Sequence, residues 1–79
     1  MEKWLKCEII KGMFSDEVTV RVRGESGQSV AVFVPTSQIE PNQKFVRVRA
    51  FEKQGKFLAV LPDERHTSVA VRHQDLQPA

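Results

Sequence analysis

Along most of this chain apolar and polar residues alternate one for one, the spacing of strands with one face buried and the other in water. Leu5, Cys7 and Ile9 alternate with Lys6, Glu8 and Ile10; Val18, Val20 and Val22 alternate with Thr19, Arg21 and Arg23. Val30, Val32 and Val34 are separated by Ala31 and Phe33. Val46, Val48 and Ala50 are separated by Arg47 and Arg49, with Phe45 and Phe51 at either end. Residues 57–61 read as a fifth, almost wholly apolar strand, and residues 68–72 as a sixth with Val69 and Val71 on one face. No stretch carries the i, i+3, i+4, i+7 spacing of a helix, and eleven valines stand where helix formers would be needed. The pattern predicts an all-β chain of six strands.

Turn residues divide the chain at the same places. Gly24-Glu25-Ser26-Gly27 and Gln54-Gly55 each separate two alternating runs and read as hairpin connections. Pro35 and Pro41 bracket a segment with room for one helical turn, and Pro62 ends the fifth strand because proline cannot donate to a ladder. Residues 77–79 are expected to fray. Six short strands cannot bury both faces as an open sheet of this size. The expected body is one domain over residues 1–79, a small barrel or strongly bent sheet with valines inward and Arg and Lys outward. An SH3-like barrel with an extra strand is the first expectation, and an OB-like barrel with an added C-terminal strand the second. Closure would also remove exposed strand edges.

The phrase Ser-Val-Ala-Val occurs twice, at residues 29–32 and 68–71. With the chain cut after Pro41, Trp4-Leu5-Lys6-Cys7 falls on Phe45-Val46-Arg47-Val48. Ile39-Glu40-Pro41 falls on Leu76-Gln77-Pro78. Each half then reads as three strands, a polar turn, an apolar anchor and a proline. The offset drifts from 41 to 39 residues, so an internal repeat of residues 1–41 and 42–79 would need loops of different length.

Composition narrows the choice of function. A chain of 79 residues leaves no room for a deep substrate cavity in one copy, so no small-molecule substrate is evident. The longest apolar run, residues 30–35, is too short to cross a bilayer, and the N-terminus has no signal-peptide apolar region. A lone cysteine, Cys7, fits a reduced, cytoplasmic protein. His66 and His73 belong to no cluster with metal-ligand spacing. There is no G-x-S-x-G elbow, no phosphate-cradling glycine loop, and no pair of carboxylates placed for acid–base work. No catalytic residue, metal or cofactor is expected, and the chain reads as a binding module rather than an enzyme.

Two surfaces stand out. Phe45, Arg47, Arg49 and Phe51 share the outward face of the fourth strand, and aromatic rings interleaved with guanidinium groups suit stacked bases and phosphates. Arg21 and Arg23, with Trp4 and Lys6, would extend that face. Although net charge is only +2, five basic residues against one acid lie between Lys44 and Lys56. The second surface is Phe33, set outward by its strand's alternation, with Pro35 and Ile39 beside it. An outward phenylalanine marks a protein partner or self-association.

Phe33-Val34-Pro35-Thr36-Ser37-Gln38-Ile39, followed by residues 44–50 and 57–61, resembles the second half of an S1-type OB domain with its FVP-x-S-x-I phrase. The resemblance covers residues 33–61. It implies RNA binding on an aromatic and basic barrel face, with Phe14 and Phe33 and either Arg47 or Arg49 in that role. The glycines of the first strand and the Phe-Gly pair before the second are not evident here, and the sixth strand is surplus. Two readings therefore stand: a protein-interaction or adaptor domain, favoured by the near balance of charge, and a single-stranded RNA- or DNA-binding domain, favoured by the local basic stripe.

Overall fold

The computed structural model describes residues 1–14, 16–42 and 44–79; the side chains of residues 11–14 lie outside that description. Its described elements are strands and 3-10 turns: β1 (Glu2–Lys6), β2 (Glu8–Phe14), β3 (Glu17–Arg23), β4 (Ser29–Pro35), β5 (Phe45–Lys53), β6 (Lys56–Val60), β7 (Ser68–Val71) and β8 (Leu76–Pro78). One 3-10 turn (Thr36–Gln38) follows β4 and another (His73–Asp75) precedes β8. The strands form two antiparallel sheets, ordered β7-β6-β5-β1-β8 and β2-β3-β4. The expected all-β class is what the chain adopts, but as two sheets packed face to face around a valine core rather than a closed ring. Leu5, Val20, Val22, Val34, Val46, Val48, Ala59, Leu61, Val69 and Val71 are buried between them.

One expected strand is split, and one strand forms that was not expected. The first breaks at Cys7, where the chain leaves one sheet as β1 and enters the other as β2; the Cys7 N–H still bonds to Lys44 O (2.9 Å). The C-terminal residues, expected to fray, instead form β8, with Leu76 opposite Leu5 and Pro78 opposite Lys3. A strand of three residues is too short to announce itself by alternation.

Several residues that echo each other in the sequence occupy similar places, although four strands precede the first 3-10 turn and three lie between it and the second. Leu5 lies directly opposite Val46 in the β1–β5 ladder, so the residues that fall on each other in the sequence meet at the centre of the five-stranded sheet. Ile39 bridges to Val46 and Leu76 to Leu5, so each half ends by pairing with the first strand of the other. The 3-10 turns have nearly the same flanking dihedrals: φ −64°, ψ 142° at Pro35 and φ −81°, ψ 143° at Arg72. They end alike too, with φ −102°, ψ 135° at Ile39 and φ −105°, ψ 139° at Leu76. In the β3–β4 connection Gly27 N–H donates to Gly24 O (3.0 Å), and in the β6–β7 connection His66 N–H donates to Asp63 O (3.0 Å). Gly27 (φ 92°) and His66 (φ 53°) both adopt the left-handed conformation.

The halves part company at Gly24 and Asp63. Val20 pairs with Val32, but Ala59 pairs with Val69, a slip of two residues that keeps the same side chains inward. Gly24 closes its hairpin through its N–H to Gln28 O (2.8 Å). At Asp63 the carboxylate does that work, accepting from Thr67 N–H (2.7 Å) and Thr67 O–H (2.6 Å). Burial alone would push the Asp63 carboxyl up. The Thr67 hydrogen bonds, with backbone N–H groups of Asp63 and Arg65, overcome that and hold it below the ordinary 3.8.

Glycine matters at position 24 because the β3–β4 turn lies against β7. A Cβ there would sit 3.2 Å from Ala70 O and 3.3 Å from Val69 Cγ1. Gly24→Ala is therefore expected to cost about 1–3 kcal/mol by overpacking against backbone. Urea unfolding measures this, and an unchanged midpoint would show that the turn yields freely.

Candidate nucleic-acid interface

Alternation along β5 buries Val46, Val48 and Ala50 and turns Phe45, Arg47, Arg49 and Phe51 to the outer face of the five-stranded sheet. Strand order then decides what joins them. β1 lies beside β5 with Lys6 opposite Phe45, Trp4 opposite Arg47 and Glu2 opposite Arg49. On the other side β6 sets Val60 opposite Arg49, Leu58 opposite Phe51 and Lys56 opposite Lys53. Trp4 and Lys6 extend the face as expected. Three aromatic rings and five cations (Lys6, Arg47, Arg49, Lys53, Lys56) thus share one sheet face with Glu2, and Glu25 of the β3–β4 turn pairs with Lys56 at its margin (3.4 Å).

Described side chains on this face touch one another. The Arg47 guanidinium carbon is 5.0 Å from the Trp4 ring centroid, and its Nη1 is 3.7 Å from Glu2 Oε1. The Arg49 guanidinium carbon lies 5.7 Å from the Phe51 ring. Phe51 is 45% exposed, while Trp4, Phe45, Leu58 and Val60 are half-buried. The rings therefore offer flat area without being anchored in the core. Exposed ion pairs of this kind contribute little, so a phosphate can displace the Arg47–Glu2 contact at small cost.

Other expected site residues fall elsewhere. Arg21 and Arg23 point outward from β3 in the other sheet and border a cleft of about 220 Å³ with Lys6 and Arg72. Arg21 pairs there with Glu8 (3.0 Å) and Arg72 with Asp75 (3.2 Å). Phe33 is 51% exposed on the outer face of β4 and Pro35 is exposed beside it. Ile39 is turned inward, half-buried against the core and bridged to Val46, so it adds no surface to Phe33. The side chain of Phe14 lies outside the described residues.

Lys53 and Lys56 belong to the basic stretch noted in the sequence, but their place on this face, with Leu58 and Val60, is not evident from it. The Gln54-Gly55 pair held the signal: both residues have positive φ (54° and 79°), the geometry of a two-residue hairpin turn. That turn sets Lys53 opposite Lys56 and Phe51 opposite Leu58.

Cys7 lines the Arg21 cleft. Burial, and to a lesser degree the Glu40 carboxylate, push its thiol from an ordinary 9.0 up to about 11. The folded chain thus holds this proton more tightly than the unfolded chain does. Its contribution to stability is complete below pH 9.0 and is lost as pH rises towards about 11. A Cys7→Ser variant is expected to lose this alkaline decline, as read by urea midpoints across that range; a decline identical in both proteins would contradict it.

Among the described residues no three His, Cys, Asp or Glu side chains converge as metal ligands would, and no helix is long and apolar enough to cross a membrane. Compared with known protein families, curated proteins and solved structures, the chain matches none.

Proposed function

We propose that this chain is a non-enzymatic module that binds single-stranded nucleic acid on the outer face of its five-stranded sheet. The observation that carries the reading is the cross-strand register that brings Trp4, Phe45 and Phe51 onto one uncovered face with Lys6, Arg47, Arg49, Lys53 and Lys56. Rings accept bases by stacking whatever their sequence, and the cations meet phosphates. The near balance of total charge does not oppose this, because the one acid between Lys44 and Lys56, Glu52, alternates away from Arg47, Arg49 and Phe51 along β5. On this reading the two-sheet body is an open, SH3-like barrel. Its protonated, lone Cys7 suits the reducing cytoplasm.

Anisotropy of a labelled mixed-sequence single-stranded RNA tests the proposal. With about four phosphates neutralised, log affinity is expected to fall against log salt with a slope of roughly −3, using about −0.7 per phosphate. A slope near zero, or equal affinity for an uncharged dye-labelled carrier, would sink it. The protein-interaction reading has its own observation, the uncovered edge of β4 beside Phe33.

A further inference from the structure

β4 is an edge strand, bonded to β3 on one side only. Thr36 N–H donates to Asp16 O (2.9 Å), and Gln28 O accepts from Gly24 N–H (2.8 Å), which fixes the parity of the strand. Even-numbered residues direct their N–H and C=O groups at β3. Those of Ser29, Ala31 and Phe33 point out of the free edge, and among the described residues no backbone group bonds to them.

The other half shows what closure of such an edge looks like. There the Glu25 N–H donates to Ala70 O (2.8 Å), so the β3–β4 turn seals the edge of β7. With Ser29 laid on Ser68, the counterparts of Glu25 and Ala70 are Glu64 and Ala31, and they make no such bond. The cause lies one residue earlier. Gly24 lets its turn come within van der Waals reach of β7, whereas its counterpart Asp63 carries a side chain committed to Thr67. The β6–β7 turn therefore stands off, leaving an open groove of about 860 Å³ between β4 and residues 62–67.

The geometry points to a second copy of this chain as the occupant, its β4 paired antiparallel with this β4 about a two-fold axis at Ala31. In that register Ala31 meets Ala31 of the second copy and Phe33 meets Ser29, each pair exchanging both N–H···O bonds. A register centred on Phe33 would set Ala31 against Pro35, which has no N–H to give. Size also matches, since each Phe33 ring lies over the small Ser29 and Ala31 of the other copy. Val30 and Val32, half-buried in the single chain, become covered.

Charge allows the pairing. β4 carries none of the charges that commonly protect an edge, so two paired copies of it bring no like charges together. The groove beside it holds Glu17, Asp63 and Glu64 with Arg65, and the Asp63 carboxylate is turned to Thr67. One strand from each copy is a small interface, so association should depend on concentration. This surface is on the opposite sheet from the nucleic-acid face, and the two proposals stand or fall separately.

Sedimentation velocity over about a hundredfold range of concentration, without nucleic acid, is expected to show a monomer passing to a dimer. Amide exchange at Ala31 and Phe33 should slow as the dimer forms. Ala31→Pro removes an N–H that β3 does not use and is expected to weaken association at least about tenfold, with the amide spectrum still dispersed. Should that variant unfold, Phe33→Lys serves the same purpose. A chain that stays monomeric with both amides unprotected would overturn the proposal. So would a dimer that survives both substitutions, or a monomer that instead binds a synthetic extended peptide.

Discussion

Leu5→Ala is expected to lower stability by about 2–5 kcal/mol, the range for truncating a leucine in a close-packed core. Leu5 is fully buried, and β1 runs between β5 and β8 so that Leu5 lies opposite both Val46 and Leu76. Its side chain thus holds together the first strands of both halves and the strand that closes the second. Little relaxation can fill the space, because the neighbouring Val46 is itself fully buried and held in its ladder. Stability of about 0.05–0.15 kcal/mol per residue leaves a chain of this length roughly 4–12 kcal/mol in all. The substitution therefore removes a large share of it. Urea denaturation measures the loss as a lower midpoint at unchanged slope. A loss below about 1 kcal/mol, the range of a surface change, would contradict the central place given to this residue.

Replacing Arg47 and Arg49 together by alanine is expected to reduce affinity for single-stranded RNA at least about tenfold, or about 1.4 kcal/mol. Two lost phosphate contacts should also flatten the salt slope by about 1.4, at 0.7 for each. Both side chains are exposed, so the fold should be unaffected. Arg65→Ala removes one positive charge from the β6–β7 turn, half the change of the double variant, and is expected to leave affinity within about twofold. That comparison separates a site on the sheet from a general effect of net charge. An equal loss per charge removed at Arg65 and at Arg47 and Arg49 would mean that charge alone attracts the RNA.

The faces of β3, β4, β5 and β7 were legible from alternation, because period two is a local property of extended backbone. Val46, Val48 and Ala50 turn inward, and Arg47, Arg49 and Phe51 outward, as their spacing predicts. Which strands lie side by side was not legible in the same way. Trp4 and Lys6 reach the Arg47 face, while Arg21 and Arg23, equally basic and equally outward, belong to the other sheet. That division comes from the break at Cys7, where one alternating run serves two sheets without any change in pattern. The open edge of β4 has a similarly local reason: the Asp63 side chain is committed to Thr67, while Gly24, at the equivalent place in the other hairpin, lets its turn reach β7.

Backbone and side-chain NMR of the labelled chain during titration with mixed-sequence single-stranded RNA, at low and at high salt, tests the nucleic-acid assignment most directly. Low-salt shifts are expected at the Trp4 indole, at Lys6 and along Phe45, Arg47, Arg49, Phe51 and Lys53, largely lost at high salt. Shifts confined to β4 and the β6–β7 turn, or none on β1 and β5 at low salt, would contradict it.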